Sequence, residues 1–151
     1  MNQLEIYKEN FCISTDPGKL DLVFVHHFLS TGSYWARHIP SERVEKAAAH
    51  SLNFGVYDEG KQVGYARIIT DYATVAYLGD VFISEPYRGK GLSKWLMQTI
   101  MTHPDLQGLR RWILLTRDAH ALYKKFGWKE ISSGQRWMEI HHPELYSEGM
   151  G

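Results

Sequence analysis

The chain has 151 residues, with 17 Lys and Arg against 17 Asp and Glu, so its formal net charge is zero and a nucleic-acid backbone is disfavoured as partner, since domains that bind one are usually basic. Hydrophobic residues at 44% and charged residues at 23% suit one globular domain with a continuous core. No run approaches the ~18 apolar residues of a membrane span, Met1 to Asn10 lacks a signal-peptide core, and the single Cys12 can form no internal disulfide. A cytoplasmic enzyme or binding protein, with no membrane partner, is therefore expected.

Leu4 to Ser14 alternates loosely and reads as a first strand, followed by the turn signal Asp16-Pro17-Gly18. Leu20, Val23, Phe24, His27 and Phe28 follow helical spacing and predict a helix over about 19–29, ended by Thr31-Gly32-Ser33. Pro40-Ser41-Glu42 opens a second helix, with Ser41 as its cap and Val44, Ala47 and Ala48 as its apolar face. Three strands follow, about 52–57, 63–70 and 74–83, with turns at Asp58-Glu59-Gly60-Lys61 and at Asp71-Tyr72. A helix runs from near Gly89 to about Thr102, where Leu92, Trp95, Leu96, Thr99 and Ile100 form one apolar stripe. After Pro104 and Gly108 come a strand over Arg111–Leu115 and a short helix over Asp118–Phe126 with Gly127 at its end. Trp128–Ile131 and Arg136–Ile140 read as a closing pair of strands around Ser132-Ser133-Gly134, and the tail after about residue 143 as loose. The order predicts a single α+β domain over 1–151 with helices on both faces of the sheet.

Tyr87-Arg88-Gly89-Lys90-Gly91-Leu92-Ser93 joins the apolar strand Tyr77–Ile83 to an amphipathic helix. A glycine-containing loop that opens a helix aims unpaired backbone N–H groups in one direction, and the helix dipole adds to them. That is an anion cradle suited to phosphate or pyrophosphate. Gly89 and Gly91 allow close approach, while Arg88, Lys90 and Lys94 add positive charge. The string is neither a Walker loop nor a dinucleotide fingerprint, because no Gly-Lys-Ser/Thr follows a four-residue spacer and Gly-x-Gly-x-x-Gly is absent. No pair of histidines has a metal-ligand spacing, so no metal is expected.

From about Leu20 to Ile140 the chain resembles the GNAT superfamily of acetyl-CoA-dependent N-acetyltransferases. Val81-x-x-x-x-Tyr87-Arg88-Gly89-Lys90-Gly91-Leu92-Ser93 is similar to the family's acetyl-CoA loop, and Ala119-x-x-Leu122-Tyr123-Lys124-Lys125-Phe126-Gly127-Trp128 to its second signature. The resemblance implies a mixed, mainly antiparallel central sheet of the acyl-CoA N-acyltransferase fold. It also implies acetyl-CoA as cofactor, with CoA as product. The pyrophosphate would rest on Arg88, Gly89, Lys90, Gly91, Leu92 and Ser93, and the pantetheine arm would lie along Val81, Phe82 and Ile83 like an added strand. A bulge in that strand is expected to splay it from the next and open the slot. Ser93 stands where glycine or alanine is common, and Thr116 where an asparagine often touches the cofactor near Ala119, so Thr116 offers one hydroxyl in place of an amide.

By the same resemblance the acetyl group passes by direct attack to a primary amine of a small molecule or of a peptide or protein. Tyr123 matches the proton donor to the CoA thiolate, and a backbone N–H near Phe82 would stabilise the oxyanion. Asp80, which alternation turns with Leu78 and Phe82, could take a proton directly or through water, or hold a cationic amine; His120, His26, His27 and Glu85 are weaker candidates. Trp35, Arg67 and Asp71, with Tyr34, Arg37 and Tyr72, are expected to line the acceptor site, although Trp35 also fits a core aromatic and Arg67 with Asp71 a surface ion pair. Acidic residues at the slot would favour a cationic amine, and Arg67 with Arg37 an acceptor bearing carboxylate or phosphate. A non-catalytic acyl-CoA-binding sensor or interaction module is the alternative, against which Tyr123 and an acid beside the slot count. The aromatic-rich ends would suit a homodimer.

Overall fold

Glu9 adopts a left-handed backbone (φ 56), and the segment expected as one strand folds back there into a hairpin of β1 (Glu5–Lys8) and β2 (Phe11–Ser14). The computed structural model in which this is seen describes residues 3–146. No glycine announces the turn, so alternation on both sides reads as continuous. Asp21 then caps α1 (Leu22–His27) by accepting the Phe24 N–H at 3.0 Å, and the helix widens into a π turn over Phe28–Gly32. In α2 (Ser41–Ala49) the expected cap is corrected: Ser41 is already the first helical residue, and Pro40 holds the cap position with no side-chain bond.

β3 (Leu52–Asp58), β4 (Lys61–Thr70) and β5 (Val75–Ile83) form an antiparallel meander. Its first turn uses positive φ at Glu59 and Gly60, the pair of left-handed residues that a two-residue hairpin matched to strand twist requires. α3 (Leu92–Met101), β6 (Arg111–Leu114) and α4 (His120–Lys124) complete the regular structure. The six strands lie in chain order, and only β5 and β6 pair in parallel, so the sheet is mixed and mainly antiparallel as expected. Among the described residues no helix is long and apolar enough to cross a membrane.

The closing pair of strands expected over Trp128–Ile131 and Arg136–Ile140 is absent from the described residues; that stretch carries a single 3-10 turn at Gly134–Arg136. Two strands with no covered face are marginal by themselves. Here the Trp128 N–H still bonds the Tyr123 carbonyl at the exit of α4, and its ring packs on Trp112 and Tyr123. The expectation of a loose tail concerns residues of which 147–151 lie outside the described part of the chain.

Two cores flank the sheet, so helices do cover both faces. α3 packs Leu92, Leu96, Met97 and Ile100 against Phe54, Val56, Ala66, Ile68, Leu78 and Ile83. On the other face Val25, Leu29, Ala36 and Val44 meet Tyr65 and Phe82. Leu78 and Phe82 therefore face opposite ways although they are four residues apart in one strand. The cause is a bulge: between the pairs Arg67↔Gly79 and Tyr65↔Phe82, β4 contributes Ala66 alone while β5 contributes Asp80 and Val81. This corrects the alternation expected of β5. Asp80 takes up the extra step with φ 53.

Candidate functional site

The bulge and the mouth of α3 define the site between them. β6 pairs with β5 only over Val75–Leu78, opposite Arg111–Leu114. From Gly79 to Ile83, β5 keeps β4 on one side and has no strand partner on the other among the described residues. A row of main-chain groups is thereby left open in a slot between two parted strands. Val81, Phe82 and Ile83, expected along the pantetheine arm, lie on this stretch. Phe82 is anchored by a stacked Phe28 ring at 3.8 Å between centroids.

At the end of the slot Ser84 to Arg88 makes a tight 3-10 turn, held by Ser84 N–H on the Val63 carbonyl at 2.8 Å and by Arg88 Nε on the Ile83 carbonyl at 2.9 Å. Tyr87 donates its hydroxyl to Asp58 Oδ2 at 2.8 Å, which ties the loop to the β3–β4 hairpin. Gly89 and Gly91 then sit at φ 81 and 79, and a Cβ built on either would meet nothing within 4 Å. Gly91 takes the cap position of α3 with no side-chain bond, and the Trp95 N–H reaches back to its carbonyl at 3.1 Å. The amides of Leu92, Ser93 and Lys94 therefore have no partner within the helix. An open concavity, glycines with free space above them, uncapped amides and the cationic Arg88, Lys90 and Lys94 are what an anion of diphosphate size requires. A 410 Å³ cleft beside it is lined by Lys8, Phe11, Asp58, Tyr87, Lys90 and Trp95 among others. Lys8 and Phe11 reach it through the turn at Glu9, which the sequence did not disclose.

On the α1 face, Asp80 binds two partners. Its Oδ2 accepts from Arg67 Nε at 2.8 Å and its Oδ1 from Trp35 Nε1 at 2.8 Å. Arg67 also donates from Nη1 to Ser51 Oγ at 3.1 Å. The pair is well shielded, with side-chain exposures of 17% and 14%. Asp80, Arg67 and Trp35 are thus brought together, but Arg67 pairs with Asp80 and not with Asp71 as the surface-pair reading had it. Asp71 lies past the end of the β4–β5 ladder at Thr70↔Ala76. Its carboxylate accepts from the amides of Ala73, Thr74 and Val75 and from the Thr74 hydroxyl, which holds it far below the usual carboxylate range.

The residue next to Trp35 reaches across the slot. Tyr34 accepts the Arg117 N–H on its hydroxyl at 2.9 Å, and the Arg117 guanidinium lies 3.9 Å from the centre of its ring. The loop of Tyr34 and Trp35 therefore clasps β5 on one side and the chain just after β6 on the other. Neither signature pointed to this contact, because its partners are 83 residues apart. Tyr123 of α4 is buried nearby (8% exposed), and burial, helped by Tyr34 and Asp118, pushes its phenol up to about 12. Thr116 accepts the Ala119 N–H on Oγ1 at 3.0 Å and so shapes the start of α4. Thr116 and Tyr123 both line a 240 Å³ cleft along β6. Among the described residues no group of three His, Cys, Asp or Glu side chains could hold a metal ion.

Comparison with known proteins agrees with this geometry. The model of the acetyltransferase (GNAT) family matches residues 22–128. A protein of Gibberella zeae provisionally named an acetyltransferase is 33% identical over 144 residues, covering 80% of each chain. A crystal structure from Xanthomonas campestris pv. campestris, described as belonging to the GNAT family, is 50% identical, covers 91% of this chain and 96% of its own, and superposes with a TM-score of 0.89. A Clostridium acetobutylicum protein crystallised with acetyl-CoA shares the fold at 13% identity, with a TM-score of 0.60 and coverage of 97% and 98%. Both signatures, the bulged strand that leads into the first of them and these matches lead to one conclusion: the chain belongs to the GNAT acetyltransferase family.

Proposed function

We propose that this protein is an N-acetyltransferase that moves the acetyl group of acetyl-CoA to a primary amine by direct attack. The observation that carries the reading is the alignment of the uncapped mouth of α3 with the open edge of β5, one end suited to a diphosphate and the other to an extended amide-bearing arm. Acetyl-CoA would supply the activated acetyl group as a thioester. Arg88, Gly89, Lys90, Gly91, Leu92 and Ser93 would hold its diphosphate, chiefly by main-chain amides. Val81, Phe82 and Ile83 would align the arm, with Thr116 and Ala119 on the far wall.

Tyr123 is the proton donor in this reading. A phenol raised to about 12 stays protonated throughout the neutral range, as a group that must deliver a proton to a departing thiolate should. Asp80 is fixed by Arg67 and Trp35, yet each carboxylate oxygen has a second lone pair. That leaves Asp80 able to accept a hydrogen bond or a proton from the incoming amine, directly or through water. The strained backbone at Asp80 fits this role, since such residues gather where function over-determines the structure. Trp35 and Arg67 would border the acceptor, with Asp71 shaping the adjoining turn.

The reading is tested in two steps. Thermal melting with CoA, acetyl-CoA or ATP comes first, because a ligand that binds only the folded state raises the melting point. The two CoA species should raise it and ATP should not; indifference to CoA would remove the donor. Free-thiol release on adding a panel of amines then tests catalysis, and silence across the panel would leave a binding module.

A further inference from the structure

Asp80 and Arg67 pair at 2.8 Å, so the proposed acceptor side holds one charge of each sign and no excess of either. Neither partner is exhausted. Arg67 spends Nε on Asp80 and Nη1 on Ser51, while its Nη2 has no partner among the described residues. Asp80 accepts one donor on each oxygen, and each oxygen keeps a second lone pair. The guanidinium is planar and rigid, so the unused donor lies beside the unused acceptor sites. A lone amine satisfies half of this arrangement. An ammonium and a carboxylate carried on one carbon satisfy all of it.

The surroundings narrow the choice. Alternation puts Arg67 and Ile69 on one face of β4, and their partners Gly79 and Tyr77 continue that face on β5. Gly79 adds no side chain, and a Cβ built on it would lie 3.0 Å from the Tyr77 ring. Tyr77 is half-buried, while Ile69 is 46% and Trp35 42% exposed. The charged pair is therefore edged by an apolar, aromatic floor that stays open at this end of the sheet. A second cation on the acceptor would find no counter-charge there. Arg67 repels it, and Asp71, at the end of the same hairpin, already accepts from three amides and a hydroxyl of its own turn.

We infer that the acceptor is a free α-amino acid with an apolar side chain, its amine at Asp80, its carboxylate on Arg67 Nη2 and its side chain over Ile69, Tyr77 and Trp35. This rests on the acetyl-transfer reading above and names its substrate class. The ammonium gives one proton to Asp80 or, through water, to solvent. The nitrogen lone pair then forms the C–N bond as the C–S bond breaks. The thiolate takes a proton from Tyr123, which the nitrogen's second proton replaces. The products are an N-acetyl amino acid, CoA and one proton.

Thiol release with matched acceptors tests the class, while thermal melting with CoA tests the donor separately. The kcat/KM for phenylalanine should exceed that for phenethylamine, which lacks only the carboxylate, by about 100-fold or more, because a site built to bond a polar group rejects the analogue without it. Phenylalaninamide should fall between them, and spermidine should release little thiol. Arg67→Lys cannot fork to three partners, so it should narrow the preference for phenylalanine over phenethylamine to under about tenfold, with the CoA-induced rise in melting point retained. Phenethylamine or spermidine turned over as fast as phenylalanine would overturn the amino acid and leave acetyl transfer standing. A preference that survives Arg67→Lys unchanged would overturn Arg67 as the seat of the carboxylate. Silence from every acceptor, with CoA still raising the melting point, would overturn acetyl transfer and the substrate class together.

Discussion

The two ends of the slot are built from different materials. The mouth of α3 is made of main chain: seven consecutive residues set the turn, the glycines and the amides. The side proposed for the acceptor is made of side chains gathered from four segments, with Trp35, Ser51, Arg67 and Asp80 joined by hydrogen bonds across 13 to 45 residues. A site formed by backbone must be contiguous and therefore leaves a short readable string. A site formed by side chains records only that distant residues meet, and nothing local says which. On the proposed reading, donor recognition and acceptor recognition would change independently, because one rests on local geometry and the other on tertiary contacts.

That contrast can be broken from either end. The largest effect is expected at the backbone end. Gly91→Trp should weaken CoA binding by roughly 100-fold or more in calorimetry, because it fills the free space over a residue at φ 79. The left-handed backbone adds about 1–2 kcal/mol of strain for any side chain, so the fold should survive by circular dichroism. Undiminished CoA affinity would show that the loop is not the donor site. Next, Asp80→Asn keeps the shape but removes the charge facing Arg67, and should lower turnover by about 10²-fold or more, the usual range for a proton-transferring group. CoA affinity should change little, and a parallel loss of both would mean that Asp80 only holds the strand.

Tyr123→Phe should lower turnover by about tenfold or more while CoA affinity stays within about twofold. Wild-type turnover should also show no alkaline loss attributable to Tyr123 below pH 10, since its phenol is raised to about 12. Equal turnover of the variant would make the ring structural. The smallest effect concerns stability and not the slot. His103 is buried, its Nδ1 accepts the Asp105 N–H at 3.0 Å, and burial holds its pKa below the ordinary value. The folded state thus favours the neutral ring. Its contribution is fully present above the unfolded pKa of about 6.5 and is lost as pH falls through the lower folded value. Urea titrations should show stability falling from pH 7 to pH 5, and His103→Asn should flatten that slope.

Most of the fold was legible because its signals are local. Gly60 set the β3–β4 turn, the stripe from Leu92 to Ile100 set α3, and Gly127 at φ 90 follows α4, which ends at Lys124, two residues short of the expected Phe126. The failures share a cause. Glu9 turns the chain at φ 56 without a glycine to mark it. Asp80 takes the extra step of a bulge whose position is fixed by pairing with β4, and pairing is not a property of β5 alone. The strand-like pattern of 128–140 is real, but a strand forms only against a partner, and within one described chain it has none. In the proposed site, Tyr123 and the loop at Arg88–Ser93 are proposed from adjacent residues. The bonds from Trp35 and Arg67 to Asp80, and the clasp of Tyr34 on Arg117, could not be.

The central claim is that main-chain amides at the start of α3 grip a diphosphate. A crystal structure of the protein with coenzyme A tests it most directly. The account predicts phosphate oxygens within hydrogen-bond reach of the amides between Gly89 and Ser93, with the arm running beside Val81. Coenzyme A bound in another cleft, with those amides facing solvent or covered by side chains, would contradict it.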